Sequence, residues 1–237
     1  MSSRLSRVLV LAVVALVSAA AAHVMAQGQQ PPKVKIPESG VPQIMTIEGA
    51  FVRAAYNNEG YVILGYRLAN ESVGEPWMLL DVGMTVRDSV RNYKLTREGV
   101  WLDTPDGQKV PLPSNAEFQQ ANLMALERRS TITKDSINYF PPLANGPCRI
   151  GFFAELAQRA MSFDMVELSP TRACLGKLYF PIAGGIKYGQ YWLNVKFEQS
   201  LIRVPLRILT KDEEKLLNKN FKSIKQQVEE AFSPKKK

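Results

Sequence analysis

Between Tyr191 and Ile208, apolar residues recur at every second position. Tyr191, Leu193, Val195 and Phe197 alternate with Trp192, Asn194, Lys196 and Glu198; after a turn near Ser200 the rhythm resumes with Ile202, Val204, Leu206 and Ile208. A two-residue period puts every other side chain on one face of an extended chain, so the stretch predicts a half-buried hairpin rather than a helix. Pro205 has no N–H to give to a ladder, which places the second strand at a sheet edge.

The same grammar extends over most of the chain. Residues 44–56 form a first strand region with Gly49 as a candidate bulge, and Asn57-Asn58-Glu59-Gly60 is a turn. In residues 61–68 and 77–87, Val62, Leu64, Tyr66 and Leu68, then Leu80, Val82, Met84 and Val86, share faces. Residues 94–102 lead into the turn Thr104-Pro105-Asp106-Gly107, with a short returning strand through Val110. Ile150, Phe152 and Ala154 restart the alternation, and residues 175–181 give another strand. Two segments break it. Residues 114–128 predict one short inserted helix, with Ser114 and Glu117 as a capping box and Phe118, Ala121 and Ala125 on one face. Residues 130–147 read as a surface loop. At the carboxy end, Thr210 to Glu213 is a second capping box, and Leu217, Phe221, Ile224 and Val228 mark the apolar seam of a helix over 210–232. Such a helix is marginal alone, so its seam needs a surface, either the face around Trp192 or another chain.

Seven to nine short strands separated by turns favour an antiparallel β-sandwich, with a small open barrel as the alternative. Three features carry a resemblance: Leu68-Ala69-Asn70-Glu71-Ser72 ending a strand, the Asp106-Gly107 turn, and Gly176-Lys177-Leu178-Tyr179-Phe180-Pro181 before the last hairpin. Over residues 47–209 the chain resembles the immunoglobulin-like β-sandwich domains of unknown function in exported bacterial proteins. The resemblance implies a mainly β fold and no catalytic residues. The predicted inserted helix and the 130–147 segment depart from a plain sandwich.

The amino terminus predicts export. Arg4 and Arg7 precede an apolar run over residues 8–17, and small residues up to Ala26 offer a cleavage site before Gln27. An uncleaved anchor is the alternative, because the uncharged stretch continues to Ala26. No cysteine follows the run, so lipid attachment there is excluded. Residues 27–42 hold four prolines and three glutamines and form a linker; the domain then spans 43–209, the helix 210–232 and a basic tail 233–237. No later segment is apolar for long enough to span a bilayer. Removing the signal arginines takes the formal charge from +8 to about +6, which suits an unidentified protein or an anionic envelope component and argues against nucleic acid. The expected location is extracytoplasmic, periplasmic or secreted.

Cys148 and Cys174 are the only thiols. An oxidising compartment predicts their pairing, with two reduced buried thiols as the alternative. The only histidine, His23, lies within the predicted signal. A mature chain without it cannot run a Ser-His-Asp or Cys-His nucleophile or build a histidine metal site. No cofactor or metal is expected. Carboxylate chemistry survives, since glycoside hydrolysis needs only two acids, and Asp81, Asp88, Glu98, Asp103 and Asp106 are candidates by composition alone. Trp192, opposite the apolar face of its strand, with Lys196, Arg203 and Arg207, is the candidate binding patch, unless these residues form a plain solvated face. The sequence therefore predicts a non-catalytic binding or structural module, with a hydrolase using two carboxylates as the alternative.

Overall fold

Alternating stretches become strands, and the residues that interrupt them decide where each stops. The computed structural model describes residues 43–154 and 161–232, all within one compact unit, Ser39–Lys237. The predicted signal peptide, linker and basic tail lie outside the described residues. β1 (Ile44–Gly49), β2 (Val52–Tyr56) and β3 (Gly60–Gly65) are followed by the single turn α1 (Arg67–Asn70) and by β4 (Trp77–Val86). Next come β5 (Tyr93–Thr96), a 3-10 turn at Arg97–Gly99, β6 (Val100–Asp103), β7 (Lys109–Pro111), α2 (Asn115–Gln120) and α3 (Met124–Ile132). β8 (Gly146–Ile150), β9 (Met165–Leu168), β10 (Arg172–Pro181), β11 (Gly189–Lys196), β12 (Leu201–Ile208) and α4 (Lys211–Phe232) follow. The fold is mainly β.

A six-stranded sheet runs β1-β2-β3-β4-β10-β8, a four-stranded sheet runs β12-β11-β6-β7, and β5 pairs with β9. All pairings are antiparallel except that of β8 with β10. One continuous core joins the two larger sheets: Val62, Leu64, Leu80, Val82 and Leu178 from the first meet Leu102, Leu193, Val195, Ile202 and Val204 from the second. Removing this apolar surface from water is the main stabilising term. The hairpin β11–β12 pairs Tyr191 with Leu206 and Leu193 with Val204, as the alternation requires.

Four expectations need correction. Residues 130–147 are not a surface loop throughout. α3 runs to Ile132, and beyond it Ile137 and Phe140 cover Val52, Ala54 and Ile63 on the second face of the six-stranded sheet. Gly65 and Gly83 admit this segment: a Cβ at Gly83 would lie 2.7 Å from Phe140 Cζ, and one at Gly65 would lie 2.9 Å from Asp135 Cβ. The strand expected over 61–68 stops at Gly65, because the buried Asp135 carboxylate accepts hydrogen bonds from Arg67 N at 2.9 Å and Arg67 Nε at 3.1 Å and holds α1 in place. A cap supplied from 68 residues away leaves no local signal. The single inserted helix is two, since extended backbone at Ala121 ends α2 after the Ser114–Glu117 capping box has started it. The alternation expected at Ile150, Phe152 and Ala154 ends with β8 at Ile150.

Cys148 and Cys174 are aligned partners in the β8–β10 ladder and form a disulfide, with Cα atoms 4.1 Å apart. Closing this 26-residue separation contributes roughly 3 to 4 kcal/mol in the chain-entropy model. A second clasp is the buried Arg97. Its guanidinium donates to the carbonyls of Pro113 at 3.0 Å and of Phe152, and to Asn115 Oδ1, while Phe153 lies 4.8 Å beneath it.

The outer strands of the two larger sheets are blunted. Pro147, Pro111 and Pro205 sit in β8, β7 and β12. On β12 the Gln43 side chain replaces a missing strand, accepting from Arg203 N at 2.9 Å and donating to Arg203 O at 2.7 Å. α4 begins at the Thr210–Glu213 capping box and lies against β1, where Lys225 and Glu48 form a 3.5 Å ion pair. The helix thus packs within the chain, on the far sheet rather than around Trp192. Leu217, Phe221, Ile224 and Val228 are half-buried.

Replacing Arg97 with Met should cost about 3 kcal/mol in chemical denaturation, because two buried carbonyls lose their donor; a loss under about 1 kcal/mol would show that the clasp is dispensable. Phe221→Asp should lower the thermal midpoint of the monomer by about 4 to 8 °C, the effect of roughly 2 kcal/mol in a chain of this size. An unchanged midpoint would mean that α4 contributes nothing to the domain.

Candidate functional site

The predicted patch lies on the face of the four-stranded sheet turned away from the core. Trp192 is opposite Asp103 on one side and Pro205 on the other, and Asn194 is opposite Trp101 and Arg203. Arg203 stacks 5.0 Å from the Trp192 ring centre, donates to Asp103 Oδ2 at 2.8 Å and to Asn194 Oδ1 at 2.8 Å. Lys109 stacks 4.2 Å from the Trp101 ring centre. Trp192 and Arg203 are therefore brought together with Trp101, Lys109 and Asp103, which the sequence reading did not combine. Arg207 is drawn away to Glu213 at 2.6 Å, and Lys196 points into solvent at the end of the hairpin. Arg203 thus engages Asp103, Asn194 and the Trp192 ring together. The face is a self-contained mosaic of cations and rings.

A different feature has unfilled bonding capacity. On the second face of the six-stranded sheet, β4, β8 and β10 form the floor of a groove of about 680 Å³, and α3 and the segment after it form one wall. The β4–β10 register sets the floor: Lys177 is opposite Asp81, Leu175 opposite Gly83 and Tyr179 opposite Leu79. Two-residue alternation then points Asp81, Lys177 and Leu175 out of the apolar interior, while Tyr179 on the same face packs against Phe118 and Phe153. Met124, Ile137, Ile150 and Leu175 give the groove apolar surface, while Arg128, Lys134, Arg149 and Lys177 supply cations against the acids Asp81 and Glu127.

Asp81 is 9% exposed, and no hydrogen bond or ion pair holds its carboxylate among the described residues. Lys177, its cross-strand neighbour, donates to Ser130 Oγ at 2.7 Å. Burial pushes the Asp81 carboxyl up to about 6; Lys177 and Lys134 pull it down, and the charge of Asp135 raises it further. Across the wall, Glu127 Oε2 is buried with no hydrogen-bond partner. Two carboxylates in one groove therefore lack donors.

The other acids singled out in the sequence are dispersed. Asp88 and Glu98 are exposed, Asp103 pairs with Arg203, and Asp106 is held by Thr104 and by Lys187 at 3.2 Å in the turn before β7. Glu127 was missed because the groove it lines is assembled from segments far apart in sequence, and helical spacing alone gives it no distinction. Among the described residues, no three His, Cys, Asp or Glu side chains gather as for a metal ion, and no helix is long and apolar enough to cross a membrane. Searches against protein-family models, curated proteins and solved structures found no match to this chain.

Asp81 binds its proton more tightly folded than unfolded, where an aspartate titrates near 3.8. Its ionisation therefore opposes folding, and stability falls as pH rises from about 4 to about 6. Asp81→Asn should flatten that fall and raise stability at pH 7 by about 2 kcal/mol, read from denaturation midpoints across pH. A destabilised variant at pH 7 would show that the carboxylate is compensated by a donor.

Proposed function

We propose that this chain is an exported, non-catalytic binding module, an immunoglobulin-like β-sandwich whose contact site is the groove between α3 and the β4–β10 floor. The observation that carries the reading is the combination of apolar walls, surrounding cations and two carboxylates without donors in one concave site. Sites of this volume with a few convergent polar groups hold ligands. A folded protein tolerates uncompensated buried charge only at a cost, and a bound partner removes that cost. The export reading adds the setting, in which the partner is a protein or an anionic component of the envelope. The patch around Trp192 and Arg203 is a weaker site, because Arg203 is already held by Asp103 and Asn194 and Lys109 already lies over Trp101.

A carbohydrate-active hydrolase is the second reading, favoured by one observation: a carboxyl raised to about 6 shares a groove with a second carboxylate. Such a reaction needs one carboxyl that keeps its proton towards neutral pH and a second acid beside the scissile bond. In this reading Asp81 delivers the proton and Glu127 is its partner.

Thermal-shift titration of residues 27–237 with peptides, glycan fragments and anionic lipid headgroups tests both. The binding reading expects one class to raise the midpoint by several degrees, with the shift lost in Leu175→Arg, which fills the groove, and kept in Trp192→Ala. A shift abolished only by Trp192→Ala would move the site to the other sheet. Glycan turnover abolished by Asp81→Asn would replace the binding reading with the hydrolase.

A further inference from the structure

The charges of the groove are sorted by depth. Asp81 is on the floor and 9% exposed, beside the half-buried Lys177, and the unpartnered Glu127 Oε2 is buried in the wall, whereas Arg128, Lys134 and Arg149 are exposed. Met124, Ile137 and Leu175 supply apolar surface in the same groove. Lys177, whose charge favours the Asp81 carboxylate, directs its hydrogen bond to Ser130 and makes none to Asp81. A ligand complementary to this order carries hydrogen-bond donors and positive charge at its inserted end, an aliphatic group beside them and negative charge behind.

Building on the reading of this groove as the binding site, we infer that it takes the free amino end of a peptide, an aliphatic first residue followed by acidic ones. The α-ammonium donates to Asp81, in the groove that Glu127 Oε2 also lines. The first side chain lies against Leu175 and Met124, and the following carboxylates face Arg128 and Lys134. A sugar is a poorer fit, because the rings of Tyr179 and Phe153 are 3% and 5% exposed and offer no face for stacking. A simple anion would gain from the mouth and meet a carboxylate at the floor.

The groups around Asp81 set the pH dependence. Lys177 approaches from β10, Lys134 and Asp135 from the segment after α3, and Glu127 and Arg128 belong to α3. Affinity for an ammonium falls below about pH 6 as Asp81 takes up its proton.

Calorimetric titration of residues 27–237 with the peptide Leu-Asp-Asp, its N-acetylated form and Leu-Lys-Lys provides the test. The free acidic peptide should bind, and acetylation should weaken it by tenfold or more, the usual effect of losing a charge-assisted hydrogen bond. Asp81→Asn should abolish the preference for the free amine, and the double variant Arg128→Gln, Lys134→Gln should abolish the preference for Leu-Asp-Asp over Leu-Lys-Lys; thermal midpoints confirm folding of both. Equal binding of the acetylated peptide would overturn the ammonium assignment and leave the groove as a binding site. Absence of peptide binding, with another ligand's shift lost in Leu175→Arg, would overturn this inference alone. If no ligand of any class depends on Leu175, both readings fall.

Discussion

The pairing of β4 with β10 is the constraint from which the rest of the molecule follows. Eight aligned pairs, from Trp77 with Pro181 to Met84 with Cys174, join segments roughly a hundred residues apart in sequence. The ladder places Leu80 and Leu178 in the core, Lys177 beside Asp81 on the other face, and Cys174 where it meets Cys148. A slip of one residue would exchange the two faces and send Asp81 into the core. The short parallel strand β8 is held to the sheet margin by five pairs and by the disulfide.

Both faces of the six-stranded sheet are used, and buried charge appears on the second one. Asp135 is answered by Arg67, and Arg97 by the carbonyls of Pro113 and Phe152. Such groups tie irregular segments to the sheets where apolar packing is thin, because leaving any partner unpaired in a dry site costs more than making the bond gains. Asp81 and the buried Oε2 of Glu127 line the groove without such a bond, which separates it from the clasps.

Sequence reasoning reached the elements whose cause is local. The alternation in Tyr191–Phe197 and Ile202–Ile208, the Asp106-Gly107 turn, and the capping boxes at Ser114 and Thr210 all depend on residues within a few positions of one another, and each has its counterpart in the structure. What escaped depends on distant partners. Asp135 ends β3 from the far side of the chain, Gly65 and Gly83 are needed only because Asp135 and Phe140 cross them, and Glu127 gains meaning only as part of the groove that Asp81 also lines. The tryptophan patch was legible as a face, since phase alone separates Trp192 from Leu193. Its internal satisfaction by Arg203, Asp103 and Asn194 was not, because that rests on the register between three strands.

The blunted sheet margins have a consequence for how such a chain behaves at high concentration. Pro111, Pro147 and Pro205 remove amide donors from the outermost strands, the amide group of Gln43 occupies the backbone of Arg203, and α4 packs on β1. Exposed strand margins are templates on which other backbones can add. Here those templates are interrupted, so copies crowded together have little with which to nucleate a shared sheet. Contact with other molecules is left to side-chain surfaces, where selectivity is written in shape and charge, while the backbone's indiscriminate hydrogen bonding stays inside the fold.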